Sequence, residues 1–196
     1  MGYADAVRTA GLFALLAPAA CARVPAERVC PPLEPGHLVV TEVRGPQTPE
    51  DPLGAWIELF NASGVAVDLA GIKVRFRRKD GSSEISVLVR RSLPAAPASY
   101  TVLGLFDDDE LPSHVDYGFA GDHAGEWLGA AAVDVEACGT RLDRAVYDSL
   151  PVRGTFSLGG VPDANRNDLP ASWCTDGRQV GATFPGTPKS PNVACP

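Results

Sequence analysis

No stretch of this 196-residue chain announces a reaction. It contains no HExxH pair, no Gly-x-Ser-x-Gly elbow, no Walker loop and no dinucleotide fingerprint. The common metallopeptidase, α/β-hydrolase, nucleotide-hydrolysing and dinucleotide-dependent classes therefore lose their usual sequence evidence. No Cys-x-x-Cys pair occurs, and the five cysteines stand at long, irregular spacings, which argues against a zinc site. Positive charge is scarce: 17 Lys and Arg stand against 24 Asp and Glu, for a net charge of −7. Such a chain repels nucleic acid and anionic lipid at long range, so neither is a default partner. No apolar run reaches the about 20 residues that a membrane-spanning helix needs. Internal repeats, low-complexity tracts and a convincing helical period are also missing.

What is there is punctuation. Gly 20 and Pro 18 are scattered between short β-branched and aromatic runs, as in chains of many strands joined by turns. Strands are expected at residues 38–43, 56–60, 65–69, 72–76, 84–89, 99–106, 127–135, 142–147 and 155–158. An acidic loop is expected at 107–117, and loop from 159 onward. Asp80-Gly81 marks a hairpin turn between two of these runs. Eight or nine short strands argue for an all-β sandwich.

The order of several motifs carries a family resemblance. Residues 38–43 bear Glu42. Trp56-Ile57-Glu58-Leu59-Phe60-Asn61 follows, then the turn Ala62-Ser63-Gly64 and the run Asp68-Leu69-Ala70-Gly71. Gly139-Thr140-Arg141-Leu142-Asp143-Arg144-Ala145-Val146-Tyr147 has a Gly, apolar, Asp, apolar, Tyr order. Near the end stands Thr187-Pro188-Lys189-Ser190-Pro191-Asn192. Together these resemble the lamin-tail domain, with Lys189 where that family's closing motif usually has Gly. The resemblance covers residues 38–192 and implies an immunoglobulin-like β-sandwich. It further implies a protein-binding, sometimes nucleic-acid-binding, accessory role.

The first 20 residues read as a secretory signal peptide: Arg8, then an apolar run from Thr9 to Ala20. Ala19-Ala20-Cys21 resembles a bacterial lipobox, although Pro18 stands where Leu is preferred. Cys21 is the expected lipidation site, with cleavage after Ala19 as the competitor. Residues 21–36, with Pro25, Pro31, Pro32 and Pro35, read as a stiff tether, and 37–196 as the domain. Setting Cys21 aside leaves Cys30, Cys138, Cys174 and Cys195, an even set that an oxidising compartment would pair. Three connectivities are open; Cys174 with Cys195 and Cys30 with Cys138 is the favoured one.

Several residues invite chemical readings. Glu42 and Glu58 on neighbouring strands could form a carboxylate pair of glycosidase type, or could be framework residues bonded to amides and hydroxyls. His114 and His123 flank Asp116 and Asp122 without metal-ligand spacing. Asp163, Asn165, Asn167 and Asp168 place oxygens alternately, as a calcium loop does. The EF-hand pattern nevertheless fails, because Asp168 replaces its Gly and Cys174 its bidentate Glu. Residues 107–110 (DDDE) are a second possible oxygen cluster. Arg75, Arg77, Arg78, Lys79, Arg90 and Arg91 would meet at one hairpin end, as a solvated edge or a polyanion patch. The expected protein is a lipid-anchored envelope module that binds or spaces and does not catalyse, held at the cell or outer membrane. It would need no cofactor, with calcium as the one candidate, and its protein or surface-polymer partner is not named by the chain. The alternatives are a secreted or periplasmic soluble protein, and a small envelope hydrolase using the paired carboxylates or the histidine loop.

Overall fold

The computed structural model describes residues 29–48, 51, 53–123, 125–180 and 184–196. The expected signal peptide and Cys21 lie outside the described residues. The strands in chain order are β1 (Leu38–Arg44), β2 (Trp56–Asn61), β3 (Val67–Asp68), β4 (Ile72–Arg77), β5 (Glu84–Leu88), β6 (Pro94–Ala95) and β7 (Tyr100–Gly104). They continue with β8 (Tyr117–Gly118), β9 (Ala131–Ala137), β10 (Thr140–Tyr147), β11 (Thr155–Leu158), β12 (Trp173–Asp176), β13 (Gln179–Val180) and β14 (Phe184–Pro185). Two single 3-10 turns, Ala120–Asp122 and Pro170–Ser172, interrupt the loops. The described residues include no α-helix, and no helix long and apolar enough to cross a membrane.

Two larger sheets share one core. The six-stranded sheet runs β12-β11-β1-β2-β7-β8, and the four-stranded sheet runs β10-β9-β4-β5. Their pairs are antiparallel except β7 with β8. Alternation explains the second sheet: Ile72, Val74 and Phe76 of β4 are buried, while Lys73, Arg75 and Arg77 between them face outward. Ile57, Leu59 and Leu103 from the first sheet fall in one buried cluster with Val74, Val133 and Val135 from the second. The opposite face of β2 is covered as well. There Trp56 packs with Val102 and Val115 in a separate small cluster.

Four details depart from the sequence reading. The region from residue 159 onward is not all loop, because β12 pairs with β11 in the register Ser157↔Cys174. The acidic loop holds β8, which adds to the edge of β7. The strand expected at 127–135 runs instead from Ala131 to Ala137, and Trp127 packs its ring on Phe76, centroids 5.0 Å apart. The expected tether is, over its described residues, part of the domain. Cys30 is bonded to Cys138, Leu33 is buried, and Gly36 N–H donates to Leu142 O at 2.8 Å.

A second disulfide joins Cys174 to Cys195 and lays the C-terminal tail along β11. Gly159 permits this approach: a Cβ there would stand 2.5 Å from Cys195 N. Near the other end of β1, the Arg44 guanidinium is buried and held by Asp51 at 2.8 Å and by Gly54 O. Removing one partner of a buried pair leaves an uncompensated charge, at a cost of about 3–5 kcal/mol. Asp51→Ala is therefore expected to lose that much in urea unfolding. Arg44→Met with Asp51→Ala should recover most of it. A single variant within 1 kcal/mol of wild type would contradict this account.

Candidate functional site

Glu42 of β1 and Glu58 of β2 are directly opposed in register, and Glu42 also faces Ser157 of β11. Both carboxylates are fully buried. What covers them is the C-terminal segment. Glu42 Oε1 accepts from Ser157 Oγ (3.0 Å), Thr187 N–H (3.2 Å) and lies 2.6 Å from Thr187 Oγ1. Glu58 accepts from Thr41 Oγ1 at 2.8 Å and from Lys189 N–H at 2.6 Å. Asn192 Nδ2 donates to Thr41 O at 3.0 Å, and Asn192 Oδ1 lies 2.6 Å from Thr187 Oγ1. Thr187, Lys189 and Asn192 thus lie as a strap across the carboxylate pair.

Burial pushes the Glu42 carboxyl up to about 7, against hydrogen bonds that lower it, and the Asp176 carboxylate adds to the rise. Burial also holds Glu58 well above the usual carboxylate range, and the neighbouring Glu42 raises it further. A count of protons agrees. Thr187 Oγ1 has one hydrogen for two oxygens at 2.6 Å, Glu42 Oε1 and Asn192 Oδ1. The Asn192 amide cannot be turned over, because its NH₂ serves Thr41 O. A proton on Glu42 supplies the second hydrogen. Glu42 Oε2 has no hydrogen-bond partner among the described residues, which a full negative charge would make costly.

The pair is covered by the C-terminal segment, and neither Glu42 nor Glu58 lines any of three clefts formed by the described residues. The carboxylates hold the strap through hydroxyls and amides, which is the framework reading of the two left open by the sequence. The two loop histidines sit in separate aromatic surroundings, His114 beside Trp56 and Phe106 and His123 beside Phe119 and Trp127. His114 is buried with Nε2 3.3 Å from Leu53 O, and His123 stacks on Trp127 with centroids 5.8 Å apart. Burial lowers the pKa of each.

A scan against models of known protein families, a search of curated proteins and a search of solved structures return no match. The site must be read from its own geometry.

The proposed calcium ligands are only partly brought together. Asp163 Oδ1 accepts the N–H groups of Asn165 and Arg166, both at 2.9 Å, and so closes its own turn. Asn167 turns inward: its Nδ2 lies 2.5 Å from Asp143 Oδ2. Asp163, Asn165 and Asp168 stay exposed. Among the described residues no group of three or more His, Cys, Asp or Glu is arranged to hold a metal ion. The DDDE run is likewise structural in part: Asp108 takes Arg91 at 2.6 and 2.7 Å and Gly118 N–H at 2.8 Å.

The basic residues do not meet at one hairpin end: Arg77 and Lys79 stand at the turn between β4 and β5, whereas Arg90 and Arg91 follow β5 at the open end, and most of them are answered by carboxylates. Arg75 bonds Glu84 and Glu136, Arg77 bonds Asp134, Lys79 bonds Asp148, and Arg90 bonds Asp122. Asp134 shows the balance of effects. Burial raises its pKa, yet Arg144 and Arg77 together hold it below the usual carboxylate range. These guanidinium groups are already engaged, which leaves them poorly placed to bind phosphate.

Sequence reasoning missed two functional features. Asn167 is a buried bridge to Asp143, hidden within a run that looked like a cation loop. The second is the strap itself, whose signal was available in Thr187 and Asn192 but whose target could not be read without the register of β1 and β2.

Proposed function

We propose that the protein is a non-catalytic binding or spacing module of lamin-tail type, an immunoglobulin-like β-sandwich displayed at the cell envelope. The observation that carries this reading is the strap network. Glu42, Glu58, Thr187, Lys189 and Asn192, the residues on which the family resemblance rests, lie up to 150 positions apart and meet in one buried set of hydrogen bonds. The Lys189 backbone supports it further. Its φ of 63° lies in the left-handed region that favours glycine, and the family's usual residue there is glycine. Here the lysine gains Asp116 at 2.8 Å and Ser113 O at 3.1 Å in return. Two disulfides fit export to an oxidising compartment. We place the anchor at Cys21, where two acyl chains would hold the protein on a membrane nearly permanently.

Cell fractionation and an activity screen test this reading together. The wild-type protein is expected in membranes after a high-salt wash, and Cys21→Ala in the soluble fraction; retention of that variant would remove the lipid anchor. Chromogenic glycosides and phosphoesters are expected to be left intact. Turnover that disappears in Glu42→Gln would overturn the non-catalytic assignment.

A further inference from the structure

We propose that the cleft between β10, β11 and the 167–173 turn is a binding site for one unit of an uncharged N-acetylated sugar. This rests on the envelope-module reading and names the class of ligand for it. The cleft has a volume of about 300 Å³, at the small end of the range for ligand sites. Its floor is aromatic. Phe156 and Trp173 stack face to face with centroids 4.7 Å apart, and Tyr147 lies beside them. Its rim is charged but balanced: Lys79 and Arg144 against Asp148 and Asp168. Lys79 is paired with Asp148, and Arg144 with Asp134. A rim so balanced selects against ligands of either net charge, and an aromatic floor favours one with an apolar face.

One group asks for a donor. Asn167 lines the cleft and is 2% exposed. Its NH₂ is fixed toward Asp143 Oδ2 (2.5 Å) and Val40 O (3.5 Å), so its Oδ1 must be an acceptor. That oxygen has no partner among the described residues. A buried acceptor left unmet is costly and calls for an explanation. An acetamido sugar supplies what is missing: its amide N–H for Oδ1, and its methyl for the half-buried Phe156 that covers Trp173. The Trp173 indole is already committed to Asn167 O at 2.7 Å, so it reports on the site without being required as a donor.

The test is an NMR titration of the purified, ¹⁵N-labelled protein with N,N′-diacetylchitobiose, read at the Trp173 indole and Asn167 amide signals. Cellobiose, which lacks the acetamido group, serves as the comparison. Saturable shifts are expected at those two signals, with cellobiose weaker by about tenfold, the worth of one hydrogen bond to a buried acceptor. Ser149→Trp, placed on the exposed rim to fill the cleft, should abolish the shifts while leaving the rest of the spectrum in place. Asp168→Ala should bind within a few-fold of wild type, since no direct bond is assigned to it. No shift at millimolar sugar, equal response to cellobiose, or unchanged binding in Ser149→Trp would each overturn the proposal, the first leaving a buried water as the partner of Oδ1. Retention of the purified protein on isolated envelopes, measured in parallel, separates the two failures. Retention without a sugar response sinks the sugar site alone, and loss of retention sinks the module reading.

Discussion

Reduction of both disulfides is expected to unfold the protein at neutral pH. The bond between Cys30 and Cys138 closes 108 residues, and that between Cys174 and Cys195 closes 21. By the chain-entropy account these loops contribute about 5 and about 3 kcal/mol, respectively. The loops do not overlap in sequence, so the effects add to first order. Their combined size, on the order of 8 kcal/mol, matches the whole stability of many domains, about 5–15 kcal/mol. The structure also shows what each bond would release. Without the first, the segment bearing Leu33 loses its covalent tie to the turn after β9. Without the second, the tail carrying Asn192 is free to leave β11 and uncover Glu42. Urea unfolding with and without a phosphine reductant measures the effect. Cys174→Ser with Cys195→Ser should cost about 3 kcal/mol and Cys30→Ser with Cys138→Ser more. A reduced protein that keeps its unfolding midpoint would show that the core alone suffices. The expected outcome ties folding to an oxidising compartment, which is the physical content of the export reading.

Much of the fold was legible because its signals are local. The alternation Ile72, Val74, Phe76 against Lys73, Arg75, Arg77 needs only the two-residue period of a strand, and the structure pairs that strand with β5 across the expected turn. Strand β12 was not legible. It offers four residues, Trp173 to Asp176, and its hold on the sheet comes from pairing with β11, more than a dozen positions away. Short strands of this kind are fixed by a partner, not by their own composition. The same difference divides the site residues. Glu42 and Glu58 were visible as carboxylates on adjacent strands, with the framework role already open to them. That they are sealed by residues 187–192 depends on contacts 131 to 151 positions long. The Asp163 run carried a local signal open to two readings, a cation loop or a turn; in the fold Asp163 turns to its own backbone and Asp143 draws Asn167 inward.

Between about pH 5 and pH 8 the protein is expected to lose stability, and Glu42→Gln is expected to remove most of that loss. The carboxyl stands at about 7 in the folded protein against an ordinary 4.5. A group raised in the folded state holds its proton longer there than in the unfolded chain. Its stabilising effect is complete below about pH 4.5 and is lost as pH climbs through about 7. The difference corresponds to roughly 3 kcal/mol by pH 8. The surroundings give the sign its cause. Glu42 faces Glu58 on β2 and Asp176 on β12, and its charge also reaches Tyr100 on β7; Arg178 is the cation that feels it. Burial raises the Asp176 pKa, but its bonds to Arg178 hold it below the usual range, so Asp176 is already ionised when Glu42 begins to lose its proton. Arg178 is thus committed to Asp176, at 2.7 Å. An ionised Glu42 would stand among carboxylates, with one oxygen unpartnered, and the Thr187 hydroxyl would have two acceptors and one hydrogen. The strap over β1 and β2 is where that cost would appear first. Chemical unfolding of wild type and Glu42→Gln at several pH values checks this. The curves should converge near pH 5 and separate by pH 8, with the protection of the Thr187 and Lys189 amides, corrected for the intrinsic rise of exchange with pH, falling in wild type alone. Glu58→Gln should flatten the profile in the same sense, because burial and Glu42 both raise that group. Parallel curves for wild type and Glu42→Gln across this range would show that Glu42 keeps its charge state, and the proton count at Thr187 would then have to be met some other way.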